Sequence, residues 1–302
     1  MYHLVSFADS RLHRSLKRLS WQADAFKIFE KIHLLNESDL SSNFNEHFKS
    51  KLISSPKGYG YWSWKPEVIL NIINYIDNGD CLLYIDAGCH LNLNGKMRLI
   101  EYFEILKNAD KGIVAFQADP PNVENSTLDH DGRKLFDQSN YRWIKGDLFD
   151  FFGFREIHDV VHAQAIGAGI ILIKKCEAAT AIIEEWKKII WNRFDLLDDT
   201  PSVSPNFPGF IEHRHDQAIW TLLCIKHGVK TISAYEYWYP KNNSYKLVSD
   251  WNSLRNFPIH AKRDKDLGYF FNFFAKINMI LKKIKTYHFK IKNKYSIKFL
   301  KK

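Results

Sequence analysis

The sequence predicts an α/β fold in which a mostly parallel central sheet is flanked by helices. Short apolar runs alternate with segments of helical periodicity along residues 1–266, which is typical of strands joined by helices. The composition then changes, since residues 268–302 contain ten lysines and no aspartate, glutamate or arginine. We therefore expect one α/β domain at 1–266 and a basic amphipathic helical tail at 267–302.

The elements of the first half follow from apolar spacing and turn formers. Cys81–Ile85 is a compact apolar run that ends at Asp86, the profile of a buried parallel strand with a polar tip. Pro66 suits the first turn of a helix. The predicted elements are a strand at Tyr2–Ala8, helices at Arg11–Leu35, Phe44–Ile53 and Pro66–Ile76, and the strand at Cys81–Ile85.

The second half continues the alternation around two long polar segments. Asp119–Asn140 and Asp198–Gly209 fit no regular element, and such segments in α/β domains are often lids or substrate loops. The predicted elements are helices at Lys96–Leu106, Glu177–Trp191 and Gln217–His227, and strands at Gly112–Gln117, Ala168–Ile173 and Lys230–Ala234.

Composition argues against several classes of protein. The four cysteines are far apart and form no CxxC pair, unlike a disulfide framework or a structural zinc site. Met1–Phe7 lacks the regions of a secretory signal, and no apolar run is long enough to span a bilayer. Of 43 basic and 34 acidic residues, ten lysines lie in 268–302, so the body is nearly neutral. We expect a cytoplasmic protein.

Two segments of the first half carry residues suited to chemistry. Asp86-Ala87-Gly88 puts a carboxylate beyond a strand end, where ligands of open α/β sheets gather and a phosphate-bound cation can be met. The alternative is an ordinary Asx turn. Gly58–Pro66 places four aromatic rings beside Lys65 before a helix start, which offers stacking surfaces and a cation. The alternative there is a packed aromatic hinge.

A third segment, Glu212–Gln217, stands at the start of a predicted helix. Asp216 is a natural N-cap, and as a cap alone it would add about 1 kcal/mol of stability and no function. The five other side chains of the segment are also polar or charged, and so many at one helix start instead favour a binding surface. His213 and His215 also permit a zinc hydrolase, although no further histidine signature follows them.

Two smaller features lie later along the chain. Gly167-Ala168-Gly169 puts small residues before a buried strand, where a ligand can approach the backbone closely. Pro258–Arg263 offers one histidine and two cations. A lone histidine is more often structural than a ligand, so this second feature matters only in combination with the others.

Taken in order, the strings GYGYWSWKP, LLYIDAGC and EHRHDQ resemble glycosyltransferases of the GT-A (Rossmann-like) fold. The general likeness is to the glycogenin and bacterial lipopolysaccharide galactosyltransferase group. The closer likeness is to transferases of bacterial capsule and O-antigen gene clusters, some of which transfer galactofuranose. The resemblance covers residues 1–263. It implies transfer of a sugar, with a UDP-linked donor expected, to a glycan or lipid-linked acceptor.

The resemblance also implies which residues hold the donor. Asp86 stands where such enzymes bind a divalent metal, Mn²⁺ or Mg²⁺, and His260 resembles their late metal-binding histidine. Gly88 replaces the usual second aspartate, which weakens this site because a hard cation prefers several anionic oxygens. Either the donor diphosphate and water complete the metal's coordination, or cations neutralise the diphosphate alone. The expected donor residues are Ser6, Ala8, Asp9, Tyr61, Trp64, Lys65, Asp86, Gly167, Ala168, Gly169, Lys262 and Arg263.

Asp216 and Gln217 resemble the Asp-Gln pair that faces the sugar and the acceptor, so the resemblance places catalysis there. If configuration inverts, Asp216 is the general base. If configuration is retained, both residues orient the substrates and shield the developing charge. His213 and His215 are expected to contact the acceptor.

The tail suggests a location. Apolar residues recur at helical spacing among its lysines, as in helices that lie in the membrane interface, where each lysine near anionic lipid adds about 1 kcal/mol. We expect peripheral association with the inner face of the plasma membrane, and the alternative is a solvated basic tail. A nucleic-acid-binding protein is the main alternative function. The neutral body argues against it, and no nucleic-acid partner is expected.

Overall fold

The computed structural model describes residues 1–55, 57–119, 137–238 and 252–263. The predicted tail at 267–302 and most of the Asp119–Asn140 segment lie outside the described residues. Within the described ranges, no helix has the length and apolar character needed to cross a membrane.

The strands alternate with the helices along the chain, as the sequence predicts. The described strands are β1 (Tyr2–Phe7), β2 (Lys31–Leu35), β3 (Ser54–Ser55), β4 (Gly58–Tyr59), β5 (Cys81–Ile85), β6 (His90–Leu91), β7 (Ile113–Gln117), β8 (Ile166–Lys174), β9 (Lys230–Ser233) and β10 (Ile259–His260). The described α-helices are α1 (His13–Phe26), α2 (Ser42–His47), α3 (Lys65–Tyr75), α4 (Lys96–Lys107), α5 (Asn140–Trp143), α6 (Gly146–Phe152), α7 (His158–His162), α8 (Glu177–Asn192) and α9 (His215–His227).

Six of the strands form one sheet in the order β2-β1-β5-β8-β7-β9. β1 pairs in parallel with β2 and β5, and β7 pairs in parallel with β9. β8 runs antiparallel to both β5 and β7. The predicted mostly parallel sheet is therefore confirmed. Because β8 is reversed, its first residues lie at the carboxyl end of β5, where Ile85 pairs with Ile170.

Helices cover both faces of the sheet. Alternate residues of β5 point to opposite faces, as in any strand. Leu82 packs into a core cluster with α3, α8 and α9, whereas Leu83 packs into a second cluster with α1 and α4. All five residues of β5 are buried, which explains its continuous apolar sequence.

The helix predicted at Arg11–Leu35 is wrong in its second half. α1 is followed by Lys27, whose left-handed backbone (φ 51°) ends the helix, and the chain then enters β2. Phe29 and Ile32 suggested a longer helix by their spacing. They pack against the same cluster as Phe26 in the strand arrangement, so their spacing does not distinguish the two structures. The hydrogen bonds of β2 to β1 decide the outcome.

The helix predicted at Phe44–Ile53 is also too long, since α2 covers only Ser42–His47. The helices α5, α6 and α7 were not predicted, because each is too short to show a helical period. The remaining predicted strands and helices agree with the structure to within about two residues. Asp198–Gly209 contains no helix or strand, as predicted. All four cysteines are free thiols, and three of them are buried.

Candidate active site

The candidate site lies where the end of β5 meets the starts of β8, α3 and α9. The backbone N–H of Asp86 donates to the Gly169 carbonyl at 2.8 Å, which joins the strand tip to β8. α3 begins at Lys65, and Asp216 lies in the first turn of α9. The fold thus brings together Lys65, Asp86 and Asp216, which are far apart in the sequence. We call these three residues the Lys65 group.

Lys65 is at the centre of the group. Its side chain is fully enclosed, and its ammonium donates to Asp216 Oδ2 at 2.6 Å and to the Ala168 carbonyl at 2.9 Å. Asp86 Oδ1 lies 3.4 Å away. Burial lowers the pKa of Lys65, but the charges and hydrogen bonds of Asp216 and Asp86 outweigh burial and raise that pKa overall. The ammonium therefore stays charged and joins the two carboxylates.

Asp86 is the open end of the group. About 37% of its side chain is exposed, and its Oδ1 also accepts a hydrogen bond from the Tyr84 hydroxyl at 2.7 Å. Burial and the nearby Asp86 charge raise the pKa of Tyr84 well above its usual value, so Tyr84 remains a donor. A Cβ atom on Gly169 would lie 2.8 Å from Asp86 Oδ2. The second carboxylate oxygen thus lies directly against the glycine backbone.

Asp216 is the enclosed end, with only 9% of its side chain exposed. Burial raises its pKa, the Lys65 charge opposes that shift, and the Asp86 charge adds to it. One ammonium between two carboxylates leaves a net charge of −1. That excess charge, held at a strand end, can stabilise positive charge on a bound molecule.

Two arginines form a cationic edge near the group. The Arg214 guanidinium stacks on the Trp143 ring at 3.8 Å, and that of Arg263 lies 5.0 Å from the Trp238 ring. Burial and the charge of Arg263 lower the pKa of Arg214, so the two cations repel each other. Guanidinium groups in this setting suit a phosphate ligand.

Tyr237 links this edge to the Lys65 group. A Cβ atom on Gly167 would lie 2.4 Å from the Tyr237 hydroxyl, so the ring packs directly on the start of β8. Burial raises the pKa of Tyr237. The charge of Asp86 adds to this shift, and the charges of Arg263 and Arg214 oppose it. Tyr237 therefore lies within the fields of both the carboxylate and the arginines.

Three sequence-based roles need correction. Lys65 was expected to contact the diphosphate, but its ammonium is enclosed and engaged by protein acceptors, so it positions the carboxylates instead. Trp64 was expected at the donor, but its ring is buried and stacks on Phe7 at 4.0 Å. Asp216 is not the N-cap of α9. Arg214 occupies that position without a side-chain cap bond.

The expected role of His213 also needs correction. Its Nε2 lies 2.9 Å from the Leu196 carbonyl, and the backbone N–H of Lys145 lies 3.4 Å from its Nδ1. Burial lowers the pKa of His213 well below its usual value, so the ring is neutral. With both nitrogens bonded to backbone, His213 neither contacts an acceptor nor binds zinc. The zinc-hydrolase alternative thereby loses one of its two histidines.

The expected metal ligands do not form a metal centre by themselves. In the described parts of the chain, no three His, Cys, Asp or Glu side chains are grouped suitably for a metal ion. His260 lies in β10, which pairs with β6 just beyond the Asp86 loop, and its Nε2 faces the Leu254 carbonyl at 2.8 Å. Of the two predicted ligands only Asp86 is anionic, whereas hard cations prefer several such oxygens. This donor set does not fit a resident metal, and the divalent cofactor stays a prediction.

The other predicted donor residues are placed as follows. At the end of β1, next to β5, Ser6 and Ala8 are buried, and Asp9 is held by two bonds from Arg11 at 2.7 and 2.9 Å. Lys262 is half-buried, and its backbone N–H donates to the His260 carbonyl at 2.8 Å. Gln217 is half-buried beside Asp216 in α9. The donor and catalytic roles of these residues stay predictions.

Sequence reasoning missed Tyr84, Arg214 and Tyr237. Tyr84 could have been found, because residues two apart in a strand share a face and Tyr84 precedes Asp86 by two. Arg214 lies inside the EHRHDQ string but drew less notice than its histidines. Nothing in the sequence around Tyr237 indicates its contact with Gly167, which depends on tertiary packing.

No protein-family model and no curated protein matches the sequence. Among solved structures, the chain is similar to mouse xyloside xylosyltransferase 1 in its apo form, with a TM-score of 0.43 and 12% identity over 86% of this chain and 97% of that chain. It is also similar to the galactosyltransferase LgtC in complex with donor and acceptor sugar analogs, with a TM-score of 0.43 and 14% identity over 86% of both chains.

A third similar structure is a glycosyltransferase involved in the glycosylation of the major capsid of PBCV-1. Its TM-score is 0.43 and its identity 11%, over 88% of this chain and 98% of that chain. All three are glycosyltransferases, the class of enzyme that the sequence resembles.

Proposed function

We propose that this chain is a glycosyltransferase that moves a hexose from a nucleotide-sugar donor to a hydroxyl of a glycan or lipid-linked acceptor. The observation that carries the proposal is the Lys65 group. One enclosed ammonium fixes two carboxylates at a strand end, beside the glycine backbone of β8 and an arginine edge. A UDP-linked donor is the first expectation, and galactofuranose is one candidate sugar.

The arrangement suits the charges of glycosyl transfer. The departing nucleoside diphosphate is anionic, whereas positive charge develops at the sugar carbon. Asp86 and Asp216 supply fixed negative charge for the sugar, and Lys65 keeps both carboxylates in place. Arg214, Arg263 and Lys262 supply positive charge for the diphosphate. Opposite charges on adjacent walls would orient the donor along one direction.

The proposed setting is surface-glycan synthesis, of the capsule or O-antigen type, at the inner face of the plasma membrane. It is supported by the ten lysines of residues 268–302 and by the nearly neutral body. Liposome flotation of the full chain and of a chain lacking 268–302 tests it. We expect the full chain to bind anionic vesicles and the shortened chain to lose most of that binding. Equal binding of both forms contradicts this location.

A thermal-shift screen tests the proposed activity. UDP-, GDP-, CMP- and dTDP-sugars are compared with and without manganese, and one nucleotide class is expected to stabilise the chain. Saturating ligand at 100 times its Kd adds about 2.7 kcal/mol. Arg263→Gln should weaken this stabilisation, whereas Arg255→Gln, at an exposed arginine of the same segment, should not.

Two outcomes contradict the proposed function. The first is the absence of stabilisation by every nucleotide sugar in the screen. The second is steeply salt-dependent binding of oligonucleotides without any binding of nucleotide sugars, which would favour the nucleic-acid alternative.

A further inference from the structure

One buried nitrogen beside the Lys65 group lacks a hydrogen-bond partner among the described residues. His215 Nδ1 lies 2.9 Å from the Leu197 carbonyl, and because a carbonyl only accepts, Nδ1 carries the proton. In the neutral ring Nε2 is then an acceptor. It is buried and has no hydrogen-bond partner among the described residues. A buried acceptor without a donor costs free energy, so a ligand that donates to Nε2 would stabilise this site.

A second acceptor faces this nitrogen. Asp199 Oδ1 lies 3.8 Å from His215 Nε2, and Asp199 Oδ2 accepts a hydrogen bond from the Tyr61 hydroxyl at 3.2 Å. About 46% of the Asp199 side chain is exposed, so the pair can be reached from solvent. Two acceptors that face each other in this way suit a molecule with two neighbouring donors.

The loop that carries Asp199 is held from two sides. The buried Lys145 ammonium donates to the carbonyls of Asp195, Asp198 and Thr200. His213 and His215 bond to the carbonyls of Leu196 and Leu197. Five backbone carbonyls of one short loop are thereby fixed. Such fixing preorganises the carboxylate, as a binding site requires.

Aromatic rings surround His215. The rings of Tyr61 and Trp62 lie 5.0 and 6.0 Å from that of His215. All three residues have left-handed backbone, with φ of 53°, 60° and 47°. This conformation costs free energy in non-glycine residues, and such backbone strain is concentrated at functional sites. The strained residues precede Lys65 and Asp216 closely in the sequence. The surroundings of His215 therefore adjoin the Lys65 group.

We propose that His215 Nε2 and Asp199 form a subsite for the acceptor sugar and bind two neighbouring hydroxyl groups of its ring. One hydroxyl donates to His215 Nε2, the other donates to Asp199 Oδ1, and the Tyr61 ring lies along the apolar edge of the sugar. This inference rests on the proposed function, because it assigns the acceptor side of the same site. Lys57, near both Asp199 and Glu212, borders the subsite.

The test measures the binding of methyl glycosides to the full chain by NMR titration, without a donor. His215→Asn removes the Nε2 acceptor, while asparagine tolerates positive φ and its amide can still donate to Leu197. Asp199→Asn removes the facing carboxylate. The matched control is Asp195→Asn, which changes a carboxylate of the same loop that pairs with Arg193 instead.

We expect at least one glycoside of the panel to bind the wild type, and each of the two variants to weaken that binding at least about tenfold. The control should bind as the wild type does. Removing one hydroxyl from that glycoside should weaken binding to the wild type but not to the variant that lacks its acceptor.

The inference is overturned if every glycoside binds the wild type and both variants alike, or if none binds the wild type. In either case only water occupies the subsite. Failure of the proposed function is a different result, since it appears as an absence of stabilisation of the wild type by any nucleotide sugar. A chain that binds a nucleotide sugar but fails the glycoside test keeps the proposed function and loses this subsite.

Discussion

Among the described residues, two lysine ammonium groups are buried, and their hydrogen-bond partners differ in kind. Lys65 is paired with the carboxylates of Asp216 and Asp86, whereas Lys145 donates to backbone carbonyls of the loop at 195–200. Burial lowers the pKa of both lysines. Only Lys65 has carboxylates close enough to reverse the shift, so its pKa is raised and that of Lys145 is lowered.

The difference separates two uses of a buried cation. Carbonyls are neutral, so Lys145 fastens a loop, and the charges of Asp198 and Asp195 only partly oppose the effect of burial on its pKa. Carboxylates are mobile side chains with charge, so Lys65 fixes the positions of two groups that can act on a substrate. A lysine buried against carboxylates therefore marks a candidate site, and a lysine buried against backbone carbonyls marks a structural role.

The largest effect is expected from Lys65→Met. It leaves Asp216 enclosed without its counter-charge, so the free energy of unfolding should fall by about 3–5 kcal/mol. Chemical denaturation measures this loss. Lys226→Met is the control, because Lys226 pairs with Glu185 at the surface, where such a pair contributes about 0–1 kcal/mol. Equal losses in both variants would show that the Lys65 pairing contributes no more to stability than a surface ion pair does.

Asp216→Asn should affect activity more than stability. Lys65 keeps Asp86 as a partner, but the site loses one of its two fixed charges, so turnover should fall about 100-fold or more. Stabilisation by the nucleotide sugar should persist. Turnover and thermal shift are measured together, with Asp195→Asn as a control carboxylate outside the group. Near wild-type turnover in Asp216→Asn would remove Asp216 from the mechanism.

The sequence predicts the sheet and the segments that form the site more accurately than it predicts the role of each residue. β5 could be placed because its five buried residues form an unbroken apolar run ending at Asp86. β2 could not, because Phe29 and Ile32 satisfy helical spacing, although Ile32 packs from β2 and Phe29 from the turn before it. The pairing with β1 that decides the matter is a contact between separate segments.

The same limit applies to the site. A lysine beside aromatic residues suggests an exposed cation, since ammonium groups are rarely buried. Lys65 is buried because Asp216, 151 residues away, supplies its counter-charge. His213 and His215 look alike in the sequence, yet one has both nitrogens bonded and the other has a nitrogen left over. Local spacing cannot distinguish these outcomes.

Lys145→Met should have a smaller effect than Lys65→Met. It removes a donor from neutral carbonyls, which water can partly replace, so we expect a loss of about 1–3 kcal/mol in the free energy of unfolding. Stabilisation by a nucleotide sugar should not change, because the carbonyls that Lys145 holds belong to the loop at 195–200 and not to the Lys65 group. Denaturation and thermal shift check both expectations. A loss of nucleotide-sugar stabilisation would place Lys145 in the donor site and erase the contrast with Lys65.

The smallest effect is a difference in titration between the two lysines. Lys145, whose pKa lies below the usual 10.5, should lose its proton before ordinary lysines, and Lys65 should lose its proton after them. The unfolded chain then binds more protons at Lys145 between its folded pKa and 10.5, so that residue's contribution to stability rises with pH in this window. The contribution of Lys65 to stability is complete below pH 10.5 and is lost as pH rises through its folded pKa.

Side-chain NMR of isotope-labelled lysine follows both groups, and Lys145→Met identifies one signal by deleting it. If the two signals titrate together, the carboxylates of Asp216 and Asp86 do not compensate the buried charge, and the argument that separates the two sites fails.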